Sequence, residues 1–208
     1  MKYFNLKQKI KNFPLFSSSM LKEKKTGDTL KVQLSKWRKK GLISKLKKGL
    51  YTLSKDERII EPTCFYLANQ IFLPSYISLE SALSYYGLIP EFVAETTSVT
   101  SRKTCAFVNE FGTFTYRHIK RDGYGGFVSL KENNNFSILM ATREKALIDF
   151  IYLNLSKFNI DDSSIFSESY RFQNCENLSK KKLKIYAKSF KSKKLLLIVE
   201  LFIKELMK

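Results

Sequence analysis

The sequence has few residues of the kinds that build metal sites, disulfides or membrane anchors. It contains three cysteines and one histidine, and no cysteine pair has Cys-x-x-Cys spacing. We therefore expect no structural metal and no disulfide framework, with the cysteines acting as small buried hydrophobic residues in a reducing compartment. The longest apolar run, residues 195–199, is far too short to span a bilayer, and residues 1–13 lack the apolar core of a secretory signal. These features predict a soluble cytoplasmic protein without a membrane partner.

Acidic residues are also scarce, and their distribution is uneven. The 208 residues include 37 Lys and Arg against 19 Asp and Glu, for a formal charge of +18. Residues 1–55 carry 16 basic and 2 acidic side chains, residues 56–177 carry 11 and 15, and residues 178–208 carry 10 and 2. This distribution predicts a polyanionic partner that contacts the ends of the chain.

Two domains are expected from the length and charge pattern. A hydrophobic fraction of 44% permits a substantial core, which argues against disorder. The first domain covers residues 1–55, and the second covers residues 56–208 with a helical tail from about residue 178. We expect the α+β class for the whole chain.

Two short helices are predicted before residue 27. Residues 1–12 alternate lysines with apolar side chains, which favours a basic amphipathic helix that Pro14 stops. A serine after Phe16 is expected to cap a second helix that carries Met20 and Leu21 inward.

A third helix is predicted from Asp28, as its N-cap, to about residue 40. Gly41 follows where a left-handed residue would end the helix. At helical spacing an apolar stripe faces inward and basic residues collect on the other side. The stripe is Leu30, Leu34 and Trp37; the opposite side is Lys31, Ser35, Arg38 and Lys39, with Lys36 adjoining.

A basic hairpin is predicted directly after that helix. Residues 42–46 and 50–53 alternate like strands around Lys47, Lys48 and Gly49. A helix followed by such a hairpin is typical of a winged helix-turn-helix, in which the helix enters the major groove and the hairpin contacts phosphates. We expect double-stranded DNA to contact Lys31, Ser35, Lys36, Arg38 and Lys39 on the helix and Lys45, Lys47 and Lys48 on the hairpin.

The centre of the chain predicts an α+β domain with a small antiparallel sheet. Helices are expected over residues 62–72, from a Ser78 N-cap to Gly87, and from a Thr142 N-cap to about residue 155. Strands are expected over residues 96–100, 104–108, 114–119 and 136–140.

The tail predicts two helices, the first capped by Ser179. The last helix is expected to pack on the centre, with a second protomer or a membrane surface as alternatives. Lysines between residues 180 and 194 are expected to add nonspecific DNA affinity.

The order of several segments resembles the AbiEi-type antitoxins of bacterial type IV toxin–antitoxin systems, which act in abortive infection and phage defence. The segments are KGLY at residues 48–51, PSYISLESAL at 74–83, VTSRK at 99–103, YRHI at 116–119 and ATREKAL at 141–147. Arg143 stands where a proline would be expected at the first helical position, which costs pre-organisation but keeps the cap.

The resemblance implies an antitoxin that represses its own operon. Its N-terminal winged helix would bind inverted repeats in the promoter, and the remaining chain would counteract a nucleotidyltransferase-like toxin without a stable complex. A plain transcriptional regulator without an antitoxin role is the alternative.

The central residues offer no catalytic pattern. The glutamates are dispersed, His118 has no nucleophile at a recognisable spacing, and neither a catalytic residue, a metal nor a cofactor is predicted. A metal-dependent nuclease is the remaining enzymatic alternative. Five basic residues of the centre have two equally good interpretations, as scattered solvated charges or as a secondary anion patch. They are Arg102, Lys103, Arg117, Lys120 and Arg121.

Overall fold

The computed structural model describes residues 2–21, 27–132 and 136–207, and it is of the predicted α+β class. The N-terminal part contains two helices and a three-stranded antiparallel sheet of order β1-β3-β2. Its elements are α1 (Tyr3–Ile10), β1 (Phe16–Ser17), α2 (Gly27–Lys39), β2 (Ile43–Lys47) and β3 (Leu50–Leu53).

A small core holds these elements together. Leu6 and Ile10 of α1 pack with the apolar stripe of α2 and with residues of the sheet. This confirms the inward face predicted for the third helix. Gly41 has a φ of +68°, so the left-handed end predicted for α2 is confirmed.

The second predicted helix is wrong. Residues 16–17 form β1, and Ser18–Leu21 form a single 3₁₀ turn in which the Ser17 hydroxyl accepts a hydrogen bond from the Met20 amide (3.3 Å). Leu21 is buried as predicted, but Met20 is 57% exposed. Serine hydroxyls compete for backbone partners and so favour turns over helix interiors. The rest of the predicted segment, residues 22–26, lies outside the described residues.

The remaining chain forms a second body around a larger sheet. Its helices are α3 (Cys64–Ile71), α4 (Leu79–Tyr85), α5 (Arg143–Leu153), α6 (Lys180–Ser189) and α7 (Lys193–Leu206). Its strands are β4 (Ser75–Ile77), β5 (Thr96–Thr100), β6 (Cys105–Asn109), β7 (Gly112–His118), β8 (Phe127–Lys131) and β9 (Ser137–Ala141).

The central sheet has six strands in the order β6-β7-β5-β4-β9-β8. It is mixed, because β5 pairs with β7 and β4 with β9 in parallel. The small antiparallel sheet predicted here is therefore wrong. The prediction missed β8 and the central strand β4, whose three residues are all buried and so show no polar alternation.

Helices cover the sheet from both sides. The Tyr116 hydroxyl donates to the Ala68 carbonyl of α3 (2.7 Å), whereas the Tyr76 hydroxyl donates to Asp149 of α5 (2.9 Å). Tyr76 pairs with Val99, which pairs with Arg117, so the side chains of Tyr76 and Arg117 lie on the same face of the sheet. Successive side chains of a strand point to opposite faces, so Tyr116 lies on the other face. Hence α3 and α5 lie on opposite faces.

A buried ion pair joins α5 to the sheet. Lys145 contacts Asp149 one turn later on α5, and the Asp149 carboxylate also accepts hydrogen bonds from Tyr76 and Ser78 (both 2.9 Å). Burial raises the pKa of Asp149 and lowers that of Lys145, while their mutual attraction opposes both shifts. Ser78 occupies the predicted N-cap position, but its side chain bonds Asp149 instead of capping α4.

The C-terminal helices pack on the centre, as predicted. Ser179 accepts a hydrogen bond from the Lys182 amide (3.3 Å) and thus caps α6, and α7 buries Leu195, Ile198, Val199 and Phe202. α6 also lies so close to residue 123 that a Cβ there would overlap the Phe190 ring. Glycine is therefore required at that turn.

The expectation that the cysteines are buried has a mixed outcome. Cys175 is buried, but Cys105 is only partly buried and Cys64 is exposed, so the expectation of buried cysteines is wrong for the last. Cys64 lies at the start of α3, where its thiol donates to the Phe111 carbonyl (3.5 Å).

Within residues 2–21, 27–132 and 136–207, no helix is both long and apolar enough to cross a bilayer.

Candidate nucleic-acid interface

Helix α2 presents one buried and one exposed side. Leu30, Leu34 and Trp37 are buried, and their spacing explains why the helix packs along a single stripe. All of the helix residues predicted to contact DNA are exposed, namely Lys31, Ser35, Lys36, Arg38 and Lys39. Lys36, Arg38 and Lys39 lie in the last turn, where the helix dipole favours positive charge.

The β2–β3 hairpin follows α2 after a short turn at Gly41. Lys48 and Gly49 form its tip, and Gly49 takes a left-handed φ of +83°, which glycine adopts without steric cost. Lys45 and Lys48 are exposed, whereas Lys47 is partly buried. The hairpin thus places the exposed ammonium groups of Lys45 and Lys48 and the partly buried one of Lys47 beside α2.

An open groove of about 550 Å³ runs between the hairpin and strand β6. Arg38 lies at its helix side, and the three hairpin lysines contribute to its wall. The β6 side is contributed by Phe107, Val108 and Glu110. The structure therefore brings Arg38, Lys45, Lys47 and Lys48 together around one concave surface.

The hairpin belongs to two cores, which the sequence did not predict. Ile43 and Leu53 pack in the N-terminal core, but Leu46 and Leu50 pack in the core of the second body. The β2–β3 register shifts between Lys45 and Lys47, as at a β-bulge, so Leu46 leaves the regular alternation. The available signal was the spacing of Ile43 and Leu46, which are three residues apart and cannot both face inward from a regularly alternating strand.

Polar contacts also fix the hairpin to the β6–β7 turn. The Ser44 hydroxyl donates to Glu110 (2.5 Å), and Arg58 donates to the other Glu110 oxygen (3.1 Å). The Asn109 amide donates to the Leu46 carbonyl (3.4 Å), and the Arg58 guanidinium lies 4.7 Å from the Phe111 ring centroid. Asn109, Glu110 and Arg58 therefore position the hairpin, although none was singled out from the sequence.

Lys47 differs electrostatically from its neighbours. Partial burial lowers the pKa of its ammonium group, and the positive charge of Arg102 lowers it further. An anion placed between Lys47 and Arg102 would relieve this repulsion. Lys47 is therefore close enough to Arg102, in the β5–β6 loop of the second body, for the two positive charges to repel each other.

The five residues of the predicted secondary patch do not share one site. Arg102 and Lys103 line a shallow depression with His118, whose Nδ1 lies 2.8 Å from the Arg102 carbonyl. Arg117 instead lines a pocket of about 620 Å³ on the other face of the sheet, together with Glu80 and Glu95. Lys120 and Arg121 are exposed and directly precede Asp122, which forms an ion pair with Lys191 (2.6 Å).

Among the described residues, no three His, Cys, Asp or Glu side chains are grouped so that they could hold a metal ion. No model of a known protein family matches the chain, and no curated protein sequence matches it.

Proposed function

We propose that the chain is a DNA-binding repressor in which α2 acts as the recognition helix and the β2–β3 hairpin acts as the wing of a winged helix-turn-helix. Lys31, Ser35 and Arg38 would face the major groove. The neighbouring Lys36 and Lys39, with Lys45, Lys47 and Lys48, would contact phosphates. The duplex would carry inverted repeats in the chain's own promoter.

The observation that carries this proposal is the concave basic surface between the hairpin and β6, which Arg38 of α2 and the hairpin lysines line. Arg38 and the hairpin lysines line one groove, and the basic face of α2 is exposed beside it. Charges arranged around a concavity neutralise adjacent phosphates more effectively than charges scattered over a convex surface. Glu110 is the acidic residue in that groove, and Ser44 and Arg58 both bond its carboxylate.

We further propose that the protein is an antitoxin of the AbiEi type, acting in the cytoplasm against a nucleotidyltransferase-like toxin without forming a stable complex. The sequence resemblance supports this role, and the segment ATREKAL within it includes Lys145, whose buried pair with Asp149 orders the second body. This part predicts a nucleotidyltransferase-like protein encoded beside the chain, and coexpression of the two tests it. Restored growth is expected, and unrelieved toxicity would reduce the chain to a plain regulator.

DNA binding is tested by fluorescence anisotropy on the duplex upstream of the gene and on a scrambled duplex at two salt concentrations. The wild-type chain should prefer the upstream duplex at both. Lys47→Ala with Lys48→Ala should weaken binding to both duplexes and reduce the slope of log affinity against log salt by up to about two.

Lys131→Ala with Lys157→Ala is the matched control, because both lysines are exposed and lie outside the groove. It should leave the slope close to wild type. Equal slopes for the hairpin variant and the control would contradict the wing assignment. Cleavage of the duplex on addition of a divalent metal would instead favour the nuclease alternative.

A further inference from the structure

A second basic surface lies on the C-terminal helices. Seven lysines of α6 and the first turn of α7 are exposed, and within the described residues none of them forms an ion pair. We call this the α6–α7 lysine surface. It consists of Lys180, Lys181, Lys182, Lys184, Lys188, Lys193 and Lys194.

Apart from Lys188, which lies in the last turn of α6, these lysines do not help the helices to fold. Three of them occupy the first turn of α6, which contains no acidic residue, and a positive charge is unfavourable at that end of a helix. Lys180, Lys184 and Lys188 follow one another at i, i+4 spacing, so like charges repel along about 12 Å of helix. The helices are held instead by buried side chains such as Leu183, Ala187 and Ile198.

The surface lies on the other side of the molecule from the hairpin. Phe107 lines the hairpin groove and contacts Tyr116, on the sheet face that α3 covers. α6 packs on α5, which covers the opposite face through Asp149. The sheet and α5 therefore separate the hairpin from the α6–α7 lysine surface, and one straight stretch of duplex cannot run along both.

We propose that the α6–α7 lysine surface binds the phosphate backbone of a second segment of duplex DNA, so that one chain bridges two segments. This inference rests on the proposed function, which supplies duplex DNA as the partner at the hairpin. Binding here is independent of sequence, because lysines meet phosphates as point charges. A duplex fits this surface because its phosphates form a continuous line of negative charge.

An anionic lipid surface fits less well. Membrane-surface helices insert a continuous apolar face into the lipid. The apolar stripe of α7 is already buried against the second body, through Leu195, Val199 and Phe202. Ile185 and Leu197 are the large apolar side chains that these two helices leave exposed. Two isolated side chains do not make an inserting face.

Bridging is tested with the full chain and two duplexes. The upstream duplex is immobilised on beads, the protein is added, and retention of a fluorescent duplex of unrelated sequence is measured. The test variant is Lys181→Gln, Lys184→Gln and Lys188→Gln combined. Lys131→Gln, Lys157→Gln and Lys204→Gln combined is the matched control, because it removes three exposed charges elsewhere. Glutamine has nearly the helix propensity of lysine, and circular dichroism checks that the fold is kept.

The wild-type chain and the control should retain the second duplex. The α6 variant should retain several-fold less, while still binding the immobilised duplex in preference to a scrambled one. Its salt slope for the second duplex should fall by up to about three. Equal retention by the α6 variant and the control would overturn the proposal and would point to bridging through the hairpins of two copies.

Two further outcomes separate this inference from the proposed function. The proposed function and this inference are both supported if the Lys47→Ala, Lys48→Ala variant loses the immobilised duplex while the α6 variant loses only the second duplex. An immobilised duplex bound equally by all variants refutes the proposed function itself. Phosphatidylserine vesicles are tested in parallel. Vesicle binding that depends on the three α6 lysines, without retention of the second duplex, would overturn the proposal in favour of a membrane partner.

Discussion

The two bodies of this chain use lysine in opposite ways. In the N-terminal part the lysines of α2 and the hairpin tip are exposed around a small core, and they add charge rather than packing. In the second body Lys145 is 1% exposed and is surrounded by Asp149 and the rings of Tyr76 and Phe190. The surroundings of a lysine, rather than the number of lysines, therefore distinguish the proposed binding role from a structural one.

The same contrast explains why the two bodies depend on each other. The N-terminal core contains few large side chains, and a unit of about 55 residues is marginal on its own. The hairpin compensates by placing Leu46 and Leu50 in the larger core. We therefore expect the proposed DNA-binding surface to be held in shape by the second body as well as by α2.

The largest expected effect is at the buried lysine. Lys145→Met leaves the Asp149 carboxylate without its cation, and removing one partner of a buried pair costs about 3–5 kcal/mol of unfolding free energy. Urea denaturation followed by circular dichroism measures the loss. Lys184→Met, an exposed lysine on α6, is the matched control and should change stability by less than about 0.5 kcal/mol. Similar losses in the two variants would mean that Lys145 does not stabilise Asp149.

A smaller effect is expected where the bodies meet. Leu46→Ala removes a side chain that is 3% exposed, at the edge of the large core, where neighbours can partly close the cavity. We expect a loss of about 2–3 kcal/mol of unfolding free energy. The change should also weaken the proposed DNA binding, because the hairpin loses part of its apolar contact with the larger core.

The control for this variant is Leu197→Ala, a half-exposed leucine on α7. It should cost well under 1 kcal/mol, as expected for a side chain that buries little area. If Leu46→Ala kept both stability and DNA affinity, the hairpin would have to be positioned by α2 alone.

Local patterns predicted the elements whose signals lie within one segment. The apolar stripe of α2, the caps at Thr142 and Ser179, and the positive φ of Gly41 follow from neighbouring residues. The α+β class followed from the order of such elements. The proposed DNA-contact residues on α2 were correctly placed on its outer side.

Long-range arrangements could not be read in the same way. The parallel pairing of β4 with β9 joins residues more than sixty positions apart, and no local pattern encodes it. β4 was missed because all three of its residues are buried, and the helix after Ser17 was wrong because three consecutive serines favour a turn. The split of the basic candidates, with Arg117 on one sheet face and Arg102 beside Lys47, likewise depends on strand register.

The smallest expected effect on stability is at an exposed lysine of the candidate interface. Lys36→Gln removes a charge from the last turn of α2, where it interacts favourably with the helix dipole, so a loss of a few tenths of a kcal/mol is expected. The expected effect on DNA binding is a change in its salt dependence. The loss of one phosphate contact lowers the slope of log affinity against log salt by about 0.9. Anisotropy on the upstream and scrambled duplexes should show the same reduced slope, because a phosphate contact carries no sequence information. A slope that falls only on the upstream duplex would place Lys36 against a base edge, and an unchanged slope on both would remove this side of α2 from the interface.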